Sequence, residues 1–174
     1  MSTTQIYLIR HAQSEGNALW DQGQVRLAKT ELGSKLTDLG IEQANNLAKE
    51  LQNVGFDVIY SSHLNRAHQT AQILKMDRIL EVNKDAQLRE REEGEEMDED
   101  AIARFVERVK HIATVHTHQI IAVVTHGFVM RGFLAYLGYK QLEEMPQGFI
   151  KNTGYIVFEF ENGNFRIAKT KQIG

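Results

Sequence analysis

Three apolar runs in this chain stop abruptly at residues that carry chemistry. Ile6-Tyr7-Leu8-Ile9 stops at Arg10-His11. Phe56 to Tyr60 stops at Ser61-Ser62, with Arg66 one turn further on. Ile120 to Val124 stops at Thr125-His126-Gly127. Near-continuous apolar runs of this length read as strands of a parallel sheet, buried on both faces. The carboxyl ends of such strands share one edge of the sheet, and ligands bind there. The pattern therefore predicts that two imidazoles and two guanidinium groups gather at one edge.

The segments between the runs read as helices. Thr37 to Asn53 is the first, with Thr37 as N-cap, Gly55 just past its end, and Ile41, Ala44, Leu47, Ala48 and Leu51 as its apolar stripe. Leu64 to Leu74 is the second. Asp98 to His116 is a long amphipathic helix, and Phe128 to Leu137 is apolar almost all round, hence buried. Ile79 to Val82 is read as a third strand. Tyr155 to Phe160 and Phe165 to Ala168, joined at Asn162-Gly163, read as a hairpin on a tight turn. Alternating strand and helix predict an α/β three-layer sandwich. Its sheet is mainly parallel, with helices on both faces and a C-terminal antiparallel hairpin. With 174 residues and no linker-like stretch, a single domain over 1–174 is expected.

Composition removes several classes of function. There is no cysteine, so disulfides, thiolate metal sites and a cysteine nucleophile are out. A formal net charge of −3 offers no field for nucleic acid or an anionic membrane. No apolar run is long enough to cross a bilayer, and no signal-like start is visible, so the expected compartment is the cytoplasm.

The predicted cluster suits phosphoryl transfer. A neutral imidazole can attack phosphorus and split hydrolysis into two easier steps. Guanidinium groups and a second imidazole can offset the charge on the equatorial oxygens. An acid is then needed for the leaving oxygen. Glu90, in Leu88-Arg89-Glu90, opens an acidic run to Asp100 in which neighbouring carboxylates would disfavour its ionisation. Glu92 and Glu93 are its substitutes. The same run is expected to repel highly anionic substrates. His111, His116 and His118 are not spaced to share one helical face, so a solvated helix end is preferred to a metal site. Trp20 and Phe149 read equally as substrate mouth or as core.

These residues also resemble a known family. The stretches Leu8 to Asn17, Leu36 to Ala44, Ile59 to Ala71, Leu88-Arg89-Glu90 and Val123 to Gly127 resemble, in order, the motifs of the histidine phosphatase superfamily, the phosphoglycerate mutase-like family. The resemblance implies His11 as the phosphorylated nucleophile. It implies Arg10, Arg66 and His126 as the phosphate pocket, Glu90 as proton donor and Asn17 as a further phosphate contact. It implies no cofactor and no metal. Ala12 stands where the family often has Gly, and His63 where Pro is common. The mutases carry a long insertion between the acid and the second histidine. Here one helix and one strand separate Glu90 from His126, which favours the small phosphatase branch.

The expected activity is hydrolysis of a small-molecule phosphomonoester through a phosphohistidine. The alternatives are a phosphoglycerate mutase-type phosphotransferase, a phosphatase acting on phosphohistidine in a phosphoprotein, and a non-catalytic phosphate-binding module.

Overall fold

The computed structural model describes residues 3–23, 34–92 and 94–173. Six strands form one sheet: β1 (Thr4–Arg10), β2 (Val58–Ser62), β3 (Val82–Asp85), β4 (Ile120–Thr125), β5 (Ile150–Glu161) and β6 (Asn164–Ile173). Their order is β3-β2-β4-β1-β5-β6. The first four strands are mutually parallel, and β5 and β6 each run antiparallel to the neighbour before them. Five α-helices accompany them among the described residues: α1 (Glu15–Asp21), α2 (Asp38–Glu50), α3 (Asn65–Lys75), α4 (Asp98–Val115) and α5 (Gly127–Tyr136).

The layers follow from side-chain alternation along the strands. Ile6 and Leu8 of β1, with Ile121 and Val123 of β4, face Phe105, Val109 and Ile112 of α4 and Val129 and Phe133 of α5. Ile9, Ile59, Ala122 and Val124 face the other way, onto Leu47 of α2 and Ala67, Ala71 and Leu74 of α3. The central strands are thus buried on both sides, as their unbroken apolar runs require.

Several boundaries differ from the sequence reading. Ile79 is fully exposed and lies before β3, which begins only at Val82. The strand is Val82-Asn83-Lys84-Asp85, a polar edge that pairs Ile59 with Val82 and Ser62 with Asp85. An edge strand need not be apolar, so the apolar run was the wrong signal. The helix expected to Asn53 ends at Glu50, and Ile41 points to solvent rather than into its buried stripe. Arg78 holds the turns that follow α2 and α3. Its guanidinium donates to the carbonyls of Leu51 (2.7 Å), Gln52 (3.2 Å) and Val54 (3.3 Å), and to Leu74 (2.8 Å). Helix α1 was not anticipated. It buries no residue and rests on a capping box, in which Ser14 Oγ accepts from the Asn17 N–H and the Asn17 side chain accepts from the Ser14 N–H. His116 uses both ring nitrogens, against the Tyr60 hydroxyl (2.9 Å) and Gln119 Oε1 (2.7 Å), so it braces the opposite end of the sheet. The hairpin turn is as expected, with Asn162 at φ 51° and Gly163 at φ 81°.

The loop after β1 is gripped by the start of α2. The N–H of Thr37 donates to the Gln13 carbonyl (3.1 Å), and the Thr37 hydroxyl to Gln13 Oε1 (2.8 Å). Gly40 permits this approach, since a Cβ there would stand 2.0 Å from the Gln13 carbonyl oxygen, a backbone atom. Gly40→Ala is therefore expected to lower stability by about 2 kcal/mol through overpacking. The shift would be read in the urea midpoint, and an unchanged midpoint would contradict the packing described.

Candidate active site

Strands β1 and β4 are neighbours, yet the chain leaves them toward opposite faces of the sheet. After β1 it runs to α2 on one face, and after β4 to α5 on the other. That divergence opens a crevice at their carboxyl ends. The register pairs Arg10 with Thr125, and the His11 N–H donates to the Thr125 carbonyl at 2.9 Å. His11 and His126 therefore leave adjacent strands side by side, with ring centroids 5.1 Å apart at 62°.

The ring of His11 is set in one tautomer by its neighbours. Its Nδ1 lies 2.7 Å from the Ala12 carbonyl, which can only accept, so Nδ1 carries the proton. Nε2 is left with its lone pair, and the Nε–H of Arg66 donates to it at 3.2 Å. Both imidazoles are buried, His11 3% and His126 0% exposed. Burial, then the nearby guanidinium groups of Arg66 and Arg10, push the His11 pKa well below its ordinary 6.5. His126 is pushed down in the same way, by burial first and then by Arg66, His11 and Arg10. Both rings are neutral.

A cavity of about 310 Å³ opens above them. Arg10, His11, Arg66, Glu90 and Asn17 all line it, and the His126 ring packs edge-on against that of His11 without itself lining the cavity. The six residues singled out in the sequence thus converge. Arg10 donates through Nη1 to the Ile150 carbonyl at 2.6 Å and lies along Gly127, where a Cβ would come within 3.3 Å of its Nε. Among the described residues, the buried side-chain polar atoms without a partner are Arg10 Nε, both His126 ring nitrogens and Ser34 Oγ. Arg10 and Ser34 border this cavity. Unpaired buried donors and acceptors are costly, and their concentration here fits a site built for a polar ligand.

Glu90 sits at the mouth of α5. Its Oε2 accepts from the Phe128 N–H (3.2 Å) and its Oε1 from the Arg91 N–H (3.2 Å). The bare crowd of carboxylates expected around it is not what the fold builds. Glu96 is held by Arg104 and Arg89, and Asp98 pairs with Arg91. Arg91 and Arg131 also line the cavity, 4.9 Å and 5.7 Å from the centroid of the Phe128 ring. The lining is cationic, so the expected repulsion of anionic substrates is overturned. Glu92 does not line the cavity, and Glu93 lies outside the described residues. Trp20 lines it, whereas Phe149 is core, 6% exposed.

Arg131 and Ser34, which line the cavity, were missed, as was Asn152, whose Nδ2 donates to the His11 carbonyl. Arg131 sits mid-helix in an apolar run, where its charge was the available signal. Nothing local marks Ser34. Asn152 precedes the expected start of the hairpin.

Comparison with known proteins agrees with this geometry. Residues 6–99 and 91–172 match the model of the histidine phosphatase superfamily (branch 1). A probable phosphoglycerate mutase GpmB of Proteus mirabilis is 34% identical over 90 residues, which cover 52% of this chain and 39% of that protein. The matched part is thus well under half of the relative's length. Bacillus stearothermophilus YhfR superposes with a TM-score of 0.82 at 25% identity, over 95% of both chains. The phosphoserine phosphatase of Entamoeba histolytica, solved with phosphoserine, gives 0.76 at 21% identity, over 96% of both. No described helix is long and apolar enough to cross a membrane. With its family motifs in order and their side chains around one crevice, the chain belongs to the histidine phosphatase superfamily.

Proposed function

We propose that this protein hydrolyses small phosphomonoesters through a phosphohistidine at His11. The observation that carries the reading is the unprotonated Nε2 of a buried, neutral His11, facing the Arg66 guanidinium in a cavity lined by Arg10 and Arg66. The phosphoryl group takes the place beside Nε2 that the Arg66 Nε–H now faces. Arg10 and Arg66 then stabilise its oxygens, with the His126 ring held against that of His11. Nε2 attacks phosphorus, the ester P–O bond breaks, and Glu90 relays a proton from the monoester's own P–OH to the departing alcohol oxygen. Glu90, now a carboxylate, takes a proton from water. The hydroxide attacks phosphorus, the N–P bond breaks, and phosphate and neutral His11 are regenerated. Solved structures of similar fold include the Entamoeba histolytica phosphoserine phosphatase with phosphoserine or 3-phosphoglyceric acid, and a mycobacterial glucosyl-3-phosphoglycerate phosphatase. Those names and the cavity's size support a small substrate.

A mutase reading is favoured by the names of the curated relatives. It requires that His11 return the phosphoryl group to a second hydroxyl before water arrives. Turnover of a phosphoglycerate that rises on addition of a bisphosphorylated primer, with no phosphate release, would support it over hydrolysis.

His11→Ala is expected to cut turnover of p-nitrophenyl phosphate by at least about 10³-fold while the circular dichroism spectrum is unchanged. Wild-type protein quenched mid-turnover should carry an acid-labile phosphoryl group. Normal turnover by the variant would reject the assignment.

Glu90→Gln should slow hydrolysis of alkyl phosphates by roughly 10²-fold or more, and that of p-nitrophenyl phosphate far less. A p-nitrophenolate leaves without a proton, whereas an alkoxide needs one. Equal losses on both substrates would remove Glu90 from the acid role.

The lowered imidazole pKa values have a stability consequence. In the unfolded chain both rings protonate near pH 6.5, while in the fold they stay neutral. The unfolded state then binds more protons, so their contribution is full above about pH 6.5 and is lost as the pH falls toward the lowered folded values. The urea midpoint of phosphate-free protein should drop between pH 7.5 and 5.5. Over the same range the ring-proton resonances of His11 and His126 should not move. Ring signals that titrate near 6.5 would contradict the burial described.

A further inference from the structure

Strand β5 does not run evenly past the active site. Its register against β6 breaks between Ile150 and Tyr155. Within the break Thr153 adopts φ 59°, a left-handed conformation that threonine rarely takes. Such backbone persists where surrounding contacts enforce it, and it clusters near functional sites. Here the break carries Asn152 to the end of β1.

Asn152 Nδ2 donates to two oxygens at once, the His11 carbonyl (3.0 Å) and Asn17 Oδ1 (3.1 Å). The Thr153 N–H donates to the same His11 carbonyl at 3.4 Å. The amide orientations are forced by backbone partners. The His11 carbonyl can only accept, so the atom of Asn152 facing it is Nδ2. The Ser14 N–H can only donate, so the atom of Asn17 facing it, at 3.2 Å, is Oδ1. With Oδ1 held by Ser14 and Asn152, the remaining donors of Asn17 are its Nδ2 hydrogens, and Asn17 lines the cavity.

We propose that Asn152 is a positioning residue for phosphate binding and phosphoryl transfer. It holds Asn17 with its amide donors turned to the phosphoryl group. The proposal rests on the phosphate-site reading above.

The test is a double-mutant cycle read by inorganic phosphate binding in calorimetry, with aryl phosphate turnover alongside. Asn152→Ala should weaken phosphate binding about tenfold, and Asn17→Ala by a similar factor. The double variant should be within about twofold of Asn17→Ala, because Asn152 acts through Asn17. The aryl phosphate loss should fall on kcat/KM more than on kcat. Asn152→Asp keeps the shape but can donate to neither oxygen. It accepts from Asn17 Nδ2 instead, which turns Oδ1 to the cavity, so it should bind phosphate more weakly than Asn152→Ala. If Asn152→Ala does not fold, Asn152→Asp completes the same cycle. Equal fold-losses in the wild-type and Asn17→Ala backgrounds would overturn the proposal. So would an Asn152→Ala protein with a lowered melting temperature and unchanged phosphate affinity. Wild-type protein that binds phosphate without hydrolysing any ester would reject the hydrolase reading and leave this cycle decisive. Wild-type protein that binds no phosphate would overturn both.

Discussion

The parallel pairing of β1 with β4 is the constraint on which the rest depends. It aligns Arg10 with Thr125 and hands His11 and His126 to the same edge from adjacent strands. The chain exits those strands to opposite faces, so the edge between them is left open rather than covered by a helix. Every other contributor is brought to that opening. Arg66 comes on the first turn of α3, Glu90 on the loop ahead of α4, and Asn17 on the short helix after β1.

The opening is arranged at an energetic cost. Two imidazoles are neutral and buried among guanidinium groups, and several polar atoms there lack partners. Hydrophobic layers on both faces of the sheet offset that cost, with Ile6, Leu8, Ile9, Val123 and Val124 fully buried beneath the site. The cationic character of the cavity extends past Arg10 and Arg66 to Arg91 and Arg131, both near the Phe128 ring.

Much of this was legible because burial writes itself into composition. The central strands are apolar on both faces, and each apolar run ends where chemistry begins, so β1, β2 and β4 and their terminal residues could be read directly. Features held by long-range polar contacts were not legible. Strand β3 is an edge whose polar residues pair through backbone, and Ile79 drew attention to the wrong register. Helix α1 buries nothing, and its only signal was Ser14 with Asn17 three residues on. Asn152 reaches the site through an irregularity in β5 that no periodicity announces. The acidic run looked like a source of repulsion because the arginine partners of Glu96, Arg89 and Arg104, fall outside it.

The guanidinium of Arg78 ties the carbonyls that follow α2 to the last turn of α3. Fraying at either helix end therefore strips hydrogen bonds from both, and the two cannot open separately at little cost. Native-state amide exchange on that flank is then a joint event. The layer that bears Arg66 and clasps the loop after β1 is thereby cross-linked at the C-terminal ends of both its helices.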